Sequence, residues 1–321
     1  MTPLTADQLD RARGAIVASA AADALGAPYE FSGPFDDDWT PAFGPGAMGH
    51  GEGEWTDDTA MAVPILEWAA ARGALDRRHT IERWLEWRLV TPDIGHQTRT
   101  VLRGLSPASA DLERDARDAA KAFHDRNAER SAGNGSLMRA APLALLGLAE
   151  GTVDTEAIEA ITRFTHWEDD NVIACTLWVQ AMQQAILTGG FSMPELLDAL
   201  DLPAEAHERW SERLRMALRS DAHPRHYRHD NGWVVSAFCA ALAAVTHTDT
   251  LEDAVHAAIR GGEDTDTVAA ITGALAGAVH GLQAVPAEWI ETIHGWPGYT
   301  AHDLIRLTDE ALGVVDTDRD A

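Results

Sequence analysis

Two short clusters concentrate the chemistry of this chain: Thr56-Asp57-Asp58-Thr59 and Asp264-Thr265-Asp266-Thr267, roughly two hundred residues apart. Adjacent carboxylates followed by a hydroxyl place several hard oxygen donors on one backbone segment. Divalent cations such as Mg²⁺ and Mn²⁺ take such donors, with water or substrate oxygens completing the shell. The clusters therefore read as two halves of one metal site. Each also stands where a loop passes into a helix, and capping competes as an explanation. Asp and Thr are favoured N-caps, and first-turn acids complement the helix dipole. A cap needs one side-chain oxygen, whereas each cluster offers two carboxylates and two hydroxyls. Concentrating that charge is costly unless a cation neutralises it.

The elements that must position these residues are helical. Thr5-Ala6-Asp7-Gln8 has the form of a capping box, and an apolar face through Leu9, Ala12, Ile16 and Ala20 runs until Gly26 and Pro28. Helical periodicity continues over 59–72, 79–90, 95–104, 111–126, 136–148, 155–164, 170–188, 195–200, 204–219, 233–246, 250–260, 266–283, 287–294 and 301–313. Period-two alternation never persists, so the expected fold is all-α. With neither a linker nor a fixed-period repeat, residues 1–321 are expected to form a single domain. The longest irregular stretch runs from Pro28 to about Thr56, is rich in glycine and acids, and abuts the first cluster. Irregular segments of that length are functional or disordered, and the position favours function.

Further segments carry a family resemblance. Asp23-Ala24-Leu25-Gly26-Ala27-Pro28-Tyr29-Glu30, Trp55-Thr56-Asp57-Asp58-Thr59, Gly133-Asn134-Gly135-Ser136-Leu137-Met138-Arg139, Thr165-His166 and Asp264-Thr265-Asp266-Thr267 follow one another in an order that resembles the ADP-ribosylglycohydrolase family. That family includes the hydrolase that removes ADP-ribose from an arginine of dinitrogenase reductase. The resemblance spans roughly residues 10 to 285. It implies an all-α orthogonal bundle and a centre of two divalent metal ions, Mg²⁺ or Mn²⁺, that hydrolyses the bond between ADP-ribose and an acceptor. By motif, Thr56, Asp57 and Asp58 would ligate on one side and Asp264, Asp266 and Thr267 on the other, with Asp57 also counted among the catalytic acids.

Glu30 matches the family's glutamate after the first helix, a candidate for acid/base work; on its own it reads as an exposed loop acid. Asp93, in Asp93-Ile94-Gly95, resembles an aspartate that approaches the distal ribose, although after Pro92 it also suits a helix cap. Gly133, Asn134, Gly135 and Ser136 would begin a helix whose free amides hold a diphosphate; a plain Asn-Gly turn is the alternative. His166 matches a position near the nucleotide, and Trp233 would pack against the ligand or simply the core. Two departures stand out: Glu263 separates Gly262 from Asp264 where the family often has two glycines, and Trp167-Glu168-Asp169-Asp170 is unusually acidic.

The expected substrate is an ADP-ribosylated protein or a small ADP-ribose conjugate, with arginine the leading acceptor. O-linked cleavage, from ADP-ribosyl-serine or an O-acyl-ADP-ribose, and a non-hydrolysing ADP-ribose binder remain as alternatives. Composition removes other classes. The net charge of −26, with Lys121 the single lysine, argues against nucleic acid. Cys175 and Cys239 sit in apolar stretches without CxxC spacing and read as core thiols of a reducing cytoplasm. The stretch from Met1 to Arg13 has no apolar signal region, and the longest apolar run, near 233–245, is too short to span a membrane. His223, His226 and His229 are read as a loop rather than a zinc site, because Pro224 interrupts them.

Overall fold

A computed structural model describes residues 3–314. Its α-helices are α1 (Ala6–Gly26), α2 (Asp57–Ala70), α3 (Arg78–Trp87), α4 (His96–Arg103), α5 (Leu112–Arg126), α6 (Thr155–Arg163), α7 (Asp169–Thr188), α8 (Met193–Asp198), α9 (Ala204–Ala217), α10 (Val234–Thr246), α11 (Leu251–Arg260), α12 (Thr265–His280), α13 (Ala287–Thr292) and α14 (Ala301–Leu312). A two-residue hairpin, β1 (His294–Gly295) with β2 (Tyr299–Thr300), is the one sheet among the described residues. The all-α expectation holds.

One helix pair sets the geometry of the centre. α1 starts with the expected capping box, Gln8 N donating to Thr5 Oγ1 and Thr5 N to Gln8 Oε1. From Ala12 onward nearly every position of α1 is buried, and half of those positions are alanine. Small residues let two backbones touch, and α12 lies directly against α1. A Cβ added at Gly14 would sit 2.5 Å from the carbonyl carbon of Gly281, and one at Gly26 would sit 2.7 Å from Asp266 Cα. Gly273 and Gly277 meet the carbonyl oxygens of Ala18 and Gly14 even more closely. The crossing therefore holds the C-terminal end of α1 against the N-terminal turn of α12. Gly277→Ala would force the two backbones apart and should cost about 3 kcal/mol by overpacking. Urea denaturation checks it, and an unchanged midpoint would contradict the contact.

Between α1 and α2 the long connection is held by side chains. Phe35 stacks on Trp39 with ring centroids 4.1 Å apart, Tyr29 meets Trp39 edge-on, and the Tyr29 hydroxyl bonds Ala42. At its far end Trp55 is buried and donates from Nε1 to Trp296 O, while Trp55 N donates to His294 O beside the hairpin. This anchor fixes where Thr56 and Asp57 begin α2.

The helix expected over 136–148 does not form. Residues 134–136, 141–145 and 148–150 make separate 3₁₀ turns instead. Pro142 lacks an N–H for the helical ladder and its ring clashes with the preceding turn. Leu137, Ala140, Leu143, Ala144 and Leu145 are buried regardless, so their apolar spacing reflects enclosure rather than a helical face.

A candidate metal centre and its cavity

The two acidic clusters meet. Thr267 Oγ1, on α12, lies 3.4 Å from Asp58 Oδ2, on α2, and Thr56 Oγ1 reaches the same oxygen at 3.0 Å. Neither Thr56 nor Asp264 caps its own helix through its side chain, so capping does not account for the clusters.

The cap of α2 comes from another helix. Asp23, fully buried on α1, accepts from Thr56 N and Thr56 Oγ1 at Oδ1 (3.0 and 2.8 Å) and from Thr59 N and Thr59 Oγ1 at Oδ2 (3.0 and 2.6 Å). Sequence reasoning gave Asp23 no role. Its signal was available as the one acid in the buried, alanine-rich half of α1.

Asp23, Asp58 and Asp266 each bring a carboxylate oxygen within 4.8 Å of the others. Among the described residues no arginine, lysine or histidine hydrogen-bonds any of them, and Asp58 Oδ1 is buried without a partner. Burial and then mutual repulsion raise Asp58 and Asp266 well above the ordinary carboxylate range, and burial raises Asp23 against its four donors. Hard oxygens, an orphaned acceptor and uncompensated negative charge suit a divalent cation.

Beside Asp266 opens a cavity of about 270 Å³. Glu30, Asp57, Asp93, Asp264, Asp266 and Thr267 form one wall, and Gly133, Asn134, Gly135 and His166 face them. Glu30 and Asp57 are both pushed up to about 8, first by burial, then by Asp264 beside Glu30 and Asp93 beside Asp57. Burial also raises Asp264 and Asp93, with Asn134 and His50 respectively opposing it. Asp57 Oδ2 accepts from Gly95 N at 3.4 Å. Thr56 and Asp58 do not line this cavity; Thr56 lines a separate one of about 450 Å³ with Trp55, Trp87 and Trp296.

Glu30 is held opposite Asp264 by a strained clamp. Phe31 N donates to Glu263 O and Glu263 N to Ser32 O, both at 2.7 Å. Phe31 and Glu263 adopt φ of 62° and 63°, a left-handed conformation costly for any residue but glycine. The departure at Glu263 thus falls where the backbone demands what glycine gives freely.

Across the cavity, Gly133-Asn134-Gly135-Ser136 does not begin a helix. It is a three-residue 3₁₀ turn, too short to supply a helix dipole. What remains is backbone: the N–H of Gly135 has no partner among the described residues. Asn134 Nδ2 donates to Asp264 Oδ2 at 2.7 Å and so spans from the turn to the acids. The Ser136 hydroxyl turns away, accepting from Asn171 Nδ2 on α7. Trp233 also lies off the main cavity, in the wall of an adjoining one of about 440 Å³ that shares Gly133, Gly232 and Arg130 with it. It is exposed and stacks against Arg213. His223, His226 and His229 lie in short 3₁₀ turns with His223 Nδ1 accepting from Arg225 N, and the two cysteines are buried free thiols.

This arrangement has relatives. A family model described as ADP-ribosylglycohydrolase matches residues 4–321. The chain belongs to the ADP-ribosylglycohydrolase family. Within this glycohydrolase family, the ADP-ribosylarginine hydrolase Tri1 of Pseudomonas putida (strain GB-1) is 29% identical, covering 98% of this chain and 82% of that protein. The ADP-ribosyl-[dinitrogen reductase] glycohydrolase of Rhodospirillum rubrum is 28% identical, over 88% of this chain and 90% of the relative. A solved structure titled ADP-ribosylglycohydrolase-related protein complex superposes with a TM-score of 0.71 at 27% identity, covering 97% of this chain and 99% of the other. No described helix is long and apolar enough to cross a membrane.

Proposed function

We propose that this glycohydrolase, acting as one domain, removes ADP-ribose from modified arginine by cleaving the N-glycosidic bond, with two divalent cations, Mg²⁺ or Mn²⁺, as cofactor. One observation carries the reading: a single cavity joins Asp266, the open edge of a buried, uncompensated group of carboxylates, to a glycine turn with a free amide at Gly135. Arginine is the favoured acceptor because relatives matching most of the chain are named for ADP-ribosylarginine.

Thr56, Asp57 and Asp58 would hold the cations from α2, and Asp264, Asp266 and Thr267 from α12. Asp23 supports them rather than ligating, since its oxygens are already taken up by four donors. When bound, the cations supply positive charge that neutralises the acids and polarises sugar hydroxyls and water. The chain's own residues supply the rest. Gly133, Asn134 and Gly135, with Ser136 closing their turn, form the diphosphate side, His166 lies beside them, and Trp233 would meet only a part of the ligand that reaches into the adjoining cavity. As the bond from the anomeric carbon to nitrogen breaks, cationic character at the sugar is stabilised by Asp57 and its neighbours. Glu30 or Asp93 takes the proton of the attacking water, which is returned to the leaving guanidine. Free, buried thiols accord with a reducing, cytoplasmic setting.

The test is release of ADP-ribose from matched ADP-ribosyl-arginine and ADP-ribosyl-serine peptides in Mg²⁺ or Mn²⁺. Cleavage of the arginine peptide, abolished by EDTA, is expected. Cleavage of the serine peptide alone would move the assignment to O-linked substrates. Tight ADP-ribose binding without cleavage of either would make the protein a sensor.

A further inference from the structure

Arg139 is fully buried yet has no carboxylate partner among the described residues. It is stacked on Trp84, with its Cζ 4.2 Å from the ring centroid. One Nη2 hydrogen bond goes to Ile161 O at 3.3 Å, and a shorter one, at 2.6 Å, to Thr165 Oγ1. Thr165 Oγ1 in turn lies 2.8 Å from His166 Nδ1. A buried charge without a counter-ion is expensive, and the hydrolytic steps above leave Arg139 unused.

We propose that Arg139 and Thr165 are positioning residues that lock His166 in the Nε2–H tautomer, so that its ring offers the ligand cavity a hydrogen-bond donor. The argument is one of donors and acceptors. A guanidinium only donates, so Thr165 Oγ1 accepts from Arg139. The threonine hydroxyl keeps one hydrogen, and His166 Nδ1 is its one acceptor within reach among the described residues. Were Nδ1 protonated, two donors would point at Thr165 and its own hydrogen would be stranded in a buried site. Nδ1 is therefore the acceptor. Burial and the nearby guanidinium also disfavour the doubly protonated ring, so the proton of the neutral imidazole sits on Nε2.

That nitrogen faces the cavity. It has no hydrogen-bond partner among the described residues, and the ring lines the space opposite the acids. A Cβ added at Gly133 or Gly135 would lie 3.4 or 3.3 Å from Nε2. The two glycines thus leave the Nε2–H open beside the free Gly135 amide. Two neutral donors, this Nε2–H and the Gly135 N–H, then converge where lysine is absent, which suits an anionic or hydroxyl oxygen of the ligand; this last step rests on the ADP-ribose reading.

The test uses the full-length protein labelled with ¹⁵N-histidine. Long-range ¹H–¹⁵N correlation of His166, assigned by its loss in His166→Gln, is expected to show unprotonated Nδ1 and protonated Nε2 at neutral pH without ligand. Thr165→Ser should keep that pattern and the affinity for ADP-ribose. Thr165→Val should mix the tautomers and weaken ADP-ribose about tenfold, the scale of one hydrogen bond. Protonated Nδ1 in the unaltered protein, or an unaltered tautomer and affinity in a folded Thr165→Val, would overturn the relay. Failure of the unaltered protein to bind ADP-ribose while His166 shows the Nε2–H pattern would instead remove the functional reading and leave the relay standing.

Discussion

Asp266→Asn is expected to cut hydrolysis at least ~100-fold, the lower end for losing one preorganised charge-stabilising group, and yet to melt at a higher temperature than the parent when cations are removed. Both effects come from one charge. Asp266 is buried on the first turn of α12, and burial, then Asp58, Asp264 and Glu30, push its carboxyl far above the usual range. At pH 8 without cations, ionising the group costs repulsion that asparagine of the same shape avoids. Relief of about 1–2 kcal/mol would raise Tm by roughly 2–4 °C. With Mn²⁺ present the order should invert, because the variant would lack one of the proposed ligands. Asp170→Asn provides the contrast. Asp170 is buried too, but it accepts from Arg209, Arg213 and Trp210, and these partners hold its carboxyl below the usual range. Removing that charge leaves cations unpaired and should cost about 3 kcal/mol. Thermal melts at pH 8 in EDTA and in Mn²⁺, beside turnover on the arginine peptide, read all of this. A lower Tm for Asp266→Asn in EDTA would remove the repulsion on which the metal-centre reading stands.

The site was legible in sequence where its chemistry was contiguous. Two acids and two hydroxyls on one short segment exceed what a helix cap uses, so the clusters stood out before any packing was known. Asp23 did not stand out, because its importance is tertiary: a single acid in an alanine run becomes notable only once α1 is seen to be buried and Thr56 and Thr59 to bond to it. The glycine turn shows the opposite failure. Residues 136–148 have helical apolar spacing because they are enclosed, and Pro142 decided against the helix. The turn still lines the cavity, and what it offers there is the unpaired Gly135 amide rather than a dipole. Ser136 illustrates a limit of motif transfer, as its hydroxyl serves Asn171 while its backbone faces the turn. Glu263 shows a departure from a motif gaining a physical meaning, because the structure puts it at a left-handed φ.

Stripped of divalent cations, the protein should lose stability as pH rises from about 6.5 to about 8.5, and Mn²⁺ or Mg²⁺ should restore more stability at the upper end than at the lower. Glu30 and Asp57 are both pushed up to about 8, from 4.5 and 3.8, and Asp58 and Asp266 are raised well above 3.8. The unfolded chain has released these protons by roughly pH 5. Above that, the folded chain holds more protons than the unfolded one until pH passes the folded values, and stability falls with pH wherever that is so. Histidines act in the other direction at lower pH. Burial lowers His166, His223, His256 and His280 below 6.5, His223 to about 4, so their contribution grows as pH climbs to about 6.5 and is then complete. The acids alone therefore set the slope above that point. A cation that binds the folded chain adds about 2.7 kcal/mol at a hundred times its Kd, and it binds best where the carboxylates are already ionised. Melting curves in EDTA and in Mn²⁺ at several pH values across this window give both slopes. Asp266→Asn should flatten the slope in EDTA, because one of the repelling charges is gone. A Tm that is level or rises with pH in EDTA would mean the buried acids are satisfied without a metal, and the centre would then be structural.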